Sequence, residues 1–220
     1  MGKVRKAIIS ELRSYANPKN LKGMARFGIH GKNMLGGPPI PVLRKMAKEI
    51  GKNHELALEL WQSKIHEARI LAEMIDEPAK VTEKQMDSWV KDFDSWDICD
   101  QVCSNLFDKT QFAYRKIGEW TKRKEEFVKR AGFVLMAVLA VHDKKASDGV
   151  FRKFLPIIKR ESIDERNFVK KAVNWALRQI GKRNPHLRNE GIKTAEEILK
   201  IDNRAAQWIA KDAIRELNSK

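Results

Sequence analysis

The chain of 220 residues is 42% hydrophobic and 33% charged, which is typical of a folded globular protein and excludes an intrinsically disordered one. Its 44 lysines and arginines outnumber 29 acidic residues, and the formal net charge of +15 favours polyanionic partners: DNA, RNA or an anionic membrane surface. The longest apolar run, residues 131–141, is far shorter than the roughly 20 residues of a transmembrane helix, and the charged stretch 1–16 does not resemble a signal peptide.

Apolar residues recur every three to four positions along most of the sequence, which is the spacing of amphipathic helices. The predicted helices span residues 5–16, 41–52, 55–62, 65–75, 82–93, 96–107, 111–122, 125–142, 148–159, 164–182, 188–200 and 202–217. Thr82 is a predicted N-cap. No stretch sustains the period of two that a half-buried strand requires, so the sequence predicts an all-α fold.

The segment GIHGKNMLGGPPIP, residues 28–41, interrupts this pattern because its four glycines and three prolines cannot continue a helix. Glycine-rich backbone can approach an anion closely, so a phosphate-binding loop is one interpretation. The segment matches neither a Walker nor a dinucleotide-binding pattern, and a connecting loop is the favoured prediction.

An acidic and aromatic island lies within this basic chain. Residues 64–108 carry five basic and eleven acidic side chains, and the stretch FDSWDICDQV within them places three aspartates around Trp96. Trp96 and Asp100 are four apart and share a helix face, whereas Asp97 is turned away by about a hundred degrees and Asp94 is a predicted N-cap. The pair either projects into a groove or is a half-buried tryptophan beside a surface carboxylate, and the sequence leaves both interpretations open.

The two cysteines, Cys99 and Cys103, also share a helix face, and no histidine lies within thirty residues of them. A redox or metal-binding pair is one interpretation. Buried free thiols of an intracellular protein are the favoured prediction, and no metal or redox cofactor is expected.

A repeat is visible in the second half of the chain. EFVKRAGFVLMAVL (126–139) resembles NFVKKAVNWALRQI (167–180), and the aligned alanines Ala131 and Ala172 are followed, after the same spacing, by Ala213. A period near 40 residues predicts stacked helix pairs, that is, an α-α superhelix or solenoid of HEAT-like repeats. Chance similarity between amphipathic helices is the alternative.

Five segments carry a more specific signal: NPKNLKGMARF (17–27), MLGGPPIPVLRKMAK (34–48), SWDICDQV (95–102), FVKRAGFVLMA (127–137) and FVKKAVNWALRQIGKRNP (168–185). Taken in this order, they resemble the DNA alkylation repair family, the AlkD-like HEAT-repeat DNA glycosylases, over nearly the whole chain. The most specific elements are the last segment and the tryptophan and aspartate of the third.

The resemblance implies roles for individual residues. The family's catalytic carboxylate corresponds to Asp100, and its groove tryptophans correspond to Trp96 and Trp175. Its phosphate-contacting arginines correspond to Arg130 and Arg178.

Three further residues are candidate DNA contacts. The family's groove tyrosine corresponds to Phe27, which keeps the aromatic ring and lacks the hydroxyl. Lys170 and Lys171 lie in the last matched segment and are predicted to bind DNA as well.

The resemblance also implies a reaction: a monofunctional enzyme hydrolyses the N-glycosidic bond of cationic alkylated purines, such as 3-methyladenine and 7-methylguanine, in double-stranded DNA. No cofactor is implied, and the family acts from the sugar-phosphate side without a pocket for a flipped base. We expect a single repeat domain over residues 1–220, a monomer that is cytoplasmic and nucleoid-associated and needs neither a membrane nor an obligate protein partner.

Two other functions are compatible with the sequence. The main alternative is a non-catalytic HEAT-repeat protein that binds damaged or branched DNA, with which Phe27 is compatible. The second alternative is a protein-interaction scaffold, because HEAT arrays often bind peptides or proteins. The net charge of +15 weighs against the scaffold.

Overall fold

The computed structural model describes residues 2–219, and within that range it contains fourteen α-helices, one short 3-10 helix and no β-strand. The predicted all-α class is therefore confirmed. The chain divides into two compact units of similar length, Met1–Gln111 and Phe112–Lys220. The prediction that the whole chain is a single repeat domain stays a prediction.

The first unit consists of seven α-helices and the 3-10 helix. Their bounds are α1 Gly2–Ser14, α2 Pro18–Arg26, α3 Ile40–Ile50, α4 His54–Trp61, α5 His66–Ile75, α6 Glu83–Lys91, α7 Trp96–Asn105 and the 3-10 helix Phe107–Lys109. The second unit consists of seven α-helices, whose bounds are α8 Ala113–Trp120, α9 Glu126–His142, α10 Asp148–Arg152, α11 Leu155–Glu161, α12 Asn167–Gly181, α13 Pro185–Leu199 and α14 Arg204–Asn218. Between residues 2 and 219, no helix has both the length and the apolar character of a membrane span.

Helix α5 is the centre of the first unit. It contacts α1, α3, α4 and α7, and nine of its ten residues are buried, so it packs on every side. Its apolar side chains Ile70, Leu71 and Ile75 are at most 3% exposed, and burying side chains of this size contributes about 1.5–3 kcal/mol each. The same burial encloses the polar residues His66 and Glu67, which lie beside the candidate site.

Two helix starts in the first unit depend on side-chain caps. The predicted cap Thr82 is confirmed, because its Oγ1 accepts a hydrogen bond from the Gln85 N–H at 3.1 Å. Helix α2 is not predicted by the apolar pattern. Asn17 caps it by accepting from the Lys19 N–H at 3.0 Å, and Pro18 occupies its first turn, where a missing N–H is tolerated.

The second unit contains the predicted helix pairs. Helices α8 and α9, α11 and α12, and α13 and α14 contact one another, and α12 lies between α9 and α14. The aligned alanines Ala131, Ala172 and Ala213 are all 0% exposed, as small residues at close helix contacts should be.

One predicted helix of this unit, 148–159, is in fact two helices, α10 and α11. The physical reason is Pro156, which lies in the first turn of α11. Proline lacks the N–H that a continuous helix would need at this point, and its ring favours the start of a new one. Proline has the same effect at Pro185, where α13 begins three residues before the predicted start.

Candidate functional site

Helix α7 brings Trp96 and Asp100 to one pocket of the first unit. Both residues are half-buried, lie one helical turn apart and line a cavity of about 690 Å³. The N-cap position of α7 is occupied by Ser95, so the prediction that Asp94 caps this helix is wrong. Asp94 instead accepts a hydrogen bond from the Lys32 N–H at 2.7 Å, because the loop 28–39 passes directly over the start of α7.

The pocket lies among α2, the segment after it, α3, α5 and α7. Most of its wall is apolar: Met24, Phe27, Ile29, Pro38, Pro39, Ile40, Leu43 and Ile70. The polar and charged groups that reach it are Lys19, Asn20, His66, Glu67, Asp97, Asp100 and Gln101. A concave, largely apolar surface with a few converging polar groups is the usual form of a ligand site.

Phe27 lies at the mouth of this pocket. Its residue surface is 75% exposed, which is unusual for a large apolar side chain. Its carbonyl accepts a hydrogen bond from Trp96 Nε1 at 2.9 Å, so the backbone at Phe27 fixes the orientation of the indole ring. The first unit therefore brings together three of the predicted site residues: Phe27, Trp96 and Asp100.

A buried histidine and aspartate pair, which the sequence did not indicate, lines the same pocket. His66 Nε2 lies 2.9 Å from Asp97 Oδ2, and Ser95 Oγ donates to Asp97 Oδ1 at 2.6 Å. Burial alone lowers the pKa of His66, but the hydrogen bond and charge of Asp97, with the charges of Glu67 and Asp94, bring that pKa above its ordinary value. The side chain of His66 is 1% exposed, and that of Asp97 is 15% exposed.

The pKa of Asp97 shifts in the opposite direction. Burial alone raises the pKa of this carboxyl, but the hydrogen bond and charge of His66, with the Ser95 hydroxyl, bring it below its ordinary value. Both shifts favour an imidazolium and carboxylate ion pair between α5 and α7. The pair joins the first turn of α7 to α5 just beside Trp96 and Asp100.

Glu67 explains the conformation of the glycine-rich segment. Its buried carboxylate accepts from the backbone N–H groups of Leu35, Gly36 and Gly37 at 2.9–3.2 Å. These amides are thus turned toward Glu67 and are not presented to an external anion. The segment is a connecting loop, as predicted, and it forms one wall of the pocket.

A polar chain leads from the pocket into the core. Gln101 lines the pocket, and its Oε1 accepts from Asn105 Nδ2 at 2.9 Å, which also donates to Glu73 Oε1 at 3.0 Å. Glu73 is 0% exposed, and this burial raises its pKa to about 8, despite the opposing hydrogen bond from Asn105. Glu73 is therefore largely protonated at neutral pH.

The cysteines on the other side of α7 are buried free thiols, as predicted. Cys99 and Cys103 are both 0% exposed. Burial, together with hydrogen bonding to Cys99, raises the pKa of the Cys103 thiol well above its ordinary value, so this sulfur is an unreactive core atom.

In the second unit, both predicted phosphate-contacting arginines, Arg130 and Arg178, interact with other residues of the protein. Arg130 of α9 is only 5% exposed, and its Nη1 donates to the Phe168 carbonyl at 2.6 Å. Arg178 of α12 is ion-paired with Glu216 and has its Nε 3.7 Å from Asp212 Oδ2. The role of both arginines as phosphate contacts stays a prediction.

The remaining predicted residues all lie on α12. Trp175 is half-buried, and Lys171 is exposed. Lys170 places its Nζ 5.0 Å from the ring centroid of Trp208, an exposed tryptophan of α14, in a cation–π arrangement. Trp208 was not a predicted site residue.

Comparisons with known proteins agree with this architecture. A sequence model of the family described as DNA alkylation repair enzyme matches residues 8–217. An uncharacterised protein of Listeria innocua, Lin0241, is 22% identical over 195 residues, covering 87% of this chain and 85% of its own length. A solved structure, from a new family of proteins related to the HEAT-like repeat DNA glycosylases with affinity for branched DNA structures, has a TM-score of 0.77 at 22% identity, covering 96% of this chain and 94% of its own. This likeness confirms the predicted HEAT-like superhelical fold class.

Proposed function

The chain belongs to the DNA alkylation repair enzyme family, and we propose that it is a DNA glycosylase that hydrolyses the N-glycosidic bond of cationic alkylated purines in duplex DNA. The observation that carries this proposal is the placement of Trp96 and Asp100 in one pocket, one turn apart on α7. A carboxylate beside an aromatic face is suited to stabilise a transient cation.

The chemistry requires such a group at the sugar. A purine alkylated at N3 or N7 is a cation, so when the bond between C1′ and the base nitrogen breaks, the electron pair leaves with the purine and makes it neutral. Positive charge then develops on the sugar as an oxocarbenium ion. Water adds to C1′ and loses a proton, which leaves an abasic site and a free purine. This reaction needs no general acid at the base and no redox partner.

Asp100 would act at the sugar. Its carboxylate would stabilise the oxocarbenium charge and orient the attacking water. The face of Trp96 would add a cation–π contribution of about 0.5–2 kcal/mol, and the hydrogen bond from its Nε1 to the Phe27 carbonyl keeps the ring in place for it.

Binding to the DNA backbone would come from basic side chains. In the second unit, the proposed contacts are Lys170, Lys171, Arg130 and Arg178, with Trp175 beside them on α12. The support is the net charge of +15 and, for Lys171, its exposure. Arg178 would have to exchange its carboxylate partners for a phosphate, whereas Lys171 could bind one directly.

A second candidate function is binding of branched or damaged DNA without excision. One specific observation favours it: the solved structure described above belongs to proteins with affinity for branched DNA structures. Phe27, which lacks the hydroxyl of the family's tyrosine, is compatible with it. Both functions require DNA binding, so base release alone separates them.

The test is to incubate the wild-type protein with methylated duplex DNA and to quantify free 3-methyladenine and 7-methylguanine by chromatography. We expect release well above spontaneous depurination, abasic sites in equal amount, and no strand cleavage by the protein itself. DNA binding without base release would support the second candidate function.

A further inference from the structure

The exposed face of α14 combines one aromatic side chain with a row of cations. Its members follow one another at intervals of three and four residues, so they share one face of the helix. They are Arg204, Trp208, Lys211 and Arg215, all of them exposed, and we call this row the α14 stripe. The stripe contains no acidic residue, and it therefore presents positive charge and one indole ring to solvent.

The acidic residues of the same helix face a neighbouring helix. Asp212 accepts a hydrogen bond from Asn174 Nδ2 at 2.7 Å. Glu216 is ion-paired with Arg178 and Lys182. Both carboxylates are thus used in the contact between α14 and α12, whereas the stripe keeps its cations on the outer side of α14.

Two cations of the stripe are available to an anionic ligand. Within residues 2–219, neither Arg204 nor Lys211 forms an ion pair or a side-chain hydrogen bond, whereas Arg215 is paired with Asp212. Arg204 and Lys211 are seven residues apart, which corresponds to about 10 Å along the helix axis. Trp208 lies between them, so the ring has a cation about one turn away on either side.

Helix α12 contributes a further cation beside the ring. Lys170 Nζ lies 5.0 Å from the centroid of the Trp208 ring, and Trp208 nevertheless keeps 40% of its surface exposed. A single exposed apolar residue is ordinary in a folded protein. An exposed indole with cations around it is more specific, because it offers an aromatic face and anion-binding groups at the same place.

Single-stranded DNA matches this combination of groups. An unpaired base has an open aromatic face that stacks on an indole ring, and the phosphates on either side of it are anions. Bases inside a duplex are already stacked on their neighbours. A helix that lies on a membrane surface needs a broad apolar face, and Trp208 is the only apolar member of the α14 stripe.

We propose that the α14 stripe binds single-stranded DNA, with an unpaired base stacked on Trp208 and the flanking phosphates bound by Arg204, Lys211 and Lys170. This inference goes beyond the proposed function, because it concerns DNA outside the base-paired region and involves no excision chemistry. It implies that the protein prefers a duplex with an unpaired extension over a blunt duplex.

The first test compares two fluorescently labelled probes by anisotropy at one fixed salt concentration. One probe is a blunt duplex, and the other is the same duplex extended by about ten unpaired thymidines, a length within the usual size of a single-strand site. We expect the wild-type protein to bind the extended duplex at least about fivefold more tightly. Equal affinity for the two probes would overturn the proposal.

Variants of Trp208 distinguish stacking from the attraction of additional phosphates. Trp208→Ala should weaken binding of the extended duplex at least about fivefold and change binding of the blunt duplex by less than about twofold. Trp208→Phe keeps an aromatic face and should retain most of the preference, whereas Trp208→Leu should lose it. Ile163→Ala is the control, because it shortens an exposed apolar side chain outside the stripe and should alter neither affinity. A full preference in both Trp208→Ala and Trp208→Leu would overturn the proposal.

The phosphate contacts are tested by salt dependence. Lys211→Ala should reduce the slope of log affinity against log salt by about 0.7 for the extended duplex, the value for one contact to a single strand, and leave the slope for the blunt duplex unchanged. Lys193→Ala, at an exposed position of α13, should change neither slope. An unchanged slope in Lys211→Ala would contradict the phosphate contact proposed for this residue.

The outcomes are independent of the glycosylase proposal. A preference for the extended duplex that depends on Trp208, in a protein that releases no methylated base, would support the stripe and contradict the proposed function. Base release by a protein without this preference would overturn the stripe and leave the glycosylase proposal intact.

Discussion

At the residue scale, the contact between His66 and Asp97 supports the geometry of the site most directly. It joins α5, the most buried helix of the first unit, to the first turn of α7, which carries Trp96 and Asp100. Because His66 is buried and the Asp97 side chain is only 15% exposed, removing one partner would leave the charge of the other uncompensated, which is more costly than losing an exposed pair.

The stability that this pair contributes should depend on pH in a defined direction. Because the pKa of His66 is raised, the stability that its charge contributes is complete below about pH 6.5. That stability is lost as the pH rises through the raised pKa. The lowered pKa of Asp97 means that its contribution is present above about 3.8 and is lost as the pH falls through the lowered value. The pair therefore contributes its full stability between about pH 3.8 and pH 6.5, the ordinary pKa values of the two groups.

We predict that His66→Gln lowers the free energy of unfolding by about 1–3 kcal/mol at pH 5 and by less at pH 9, as measured by urea unfolding at both values. His186→Gln is the control, since His186 forms an exposed pair with Glu190 and should change stability by no more than about 1 kcal/mol. A His66→Gln effect that is equal at pH 5 and pH 9 would show that the pair is not charged in the folded protein.

Gly36 is a second residue whose identity is dictated by its surroundings. Its φ is +77°, and a Cβ built on it would lie 2.3 Å from the Asn17 carbonyl oxygen. Gly51 has a similar φ of +74° but no atom within 4 Å of its added Cβ, so Gly51→Ala introduces only backbone strain of about 1–3 kcal/mol. We predict that Gly36→Ala lowers the melting temperature clearly more than Gly51→Ala; equal effects would mean that the contact with Asn17 relaxes freely.

At the element scale, Glu67 connects α5 to the loop that forms a wall of the pocket. We predict that Glu67→Gln lowers the free energy of unfolding by about 1–3 kcal/mol, because the amide replaces one acceptor oxygen with a donor that faces backbone N–H groups. The amides of Leu35, Gly36 and Gly37 should exchange with solvent faster in hydrogen–deuterium exchange. Glu55→Gln, at an exposed position of α4, should alter neither quantity. Unchanged protection at the three amides would contradict the role given to Glu67.

Most helices could be predicted from the sequence because their apolar residues face a core at regular spacing. Helix α2 could not, because no residue in it is buried and only Asn17 and Pro18 mark its start. The break between α10 and α11 could be predicted only by giving Pro156 more weight than the otherwise continuous apolar pattern around it. Local signals of this kind are present in the sequence but are weaker than periodicity.

Only part of the site could be predicted from the sequence, for a related reason. Trp96 and Asp100 stand four apart on one helix, so their proximity follows from local geometry. His66 and Asp97 are 31 residues apart, and Glu67 is about as far from the loop amides that it accepts from. Such pairs depend on how helices pack, which one sequence does not specify. The same limitation applies to Arg130, whose burial against Phe168 is a tertiary feature.

At the scale of the whole molecule, the charge of +15 makes the strongest prediction about binding. If basic side chains neutralise six to ten backbone phosphates, DNA affinity should fall by about 10³–10⁵ between 50 and 200 mM salt. An apolar groove of a protein-interaction scaffold would show little salt dependence. Fluorescence anisotropy with a labelled duplex across this salt range distinguishes the two.

The same titration tests the lysines of α12. Lys170→Ala and Lys171→Ala should each reduce the slope of log affinity against log salt by about 1, without a change in sequence preference. Lys200→Ala, at an exposed position just after α13, serves as the control and should leave the slope close to that of the wild type. An unchanged slope in both α12 variants would remove these lysines from the DNA interface.

The stabilisation of positive charge on the sugar by Asp100 is tested most directly by the single-turnover rate of base release from methylated duplex DNA, measured for the wild type and for Asp100→Asn. The substitution keeps the size of the side chain and removes its charge. We predict a rate at least about 10²-fold lower, with the Kd for the duplex changed by less than about threefold. Asp202→Asn, at an exposed position outside the pocket, should release base at the wild-type rate. A wild-type rate in Asp100→Asn would contradict the role proposed for this carboxylate.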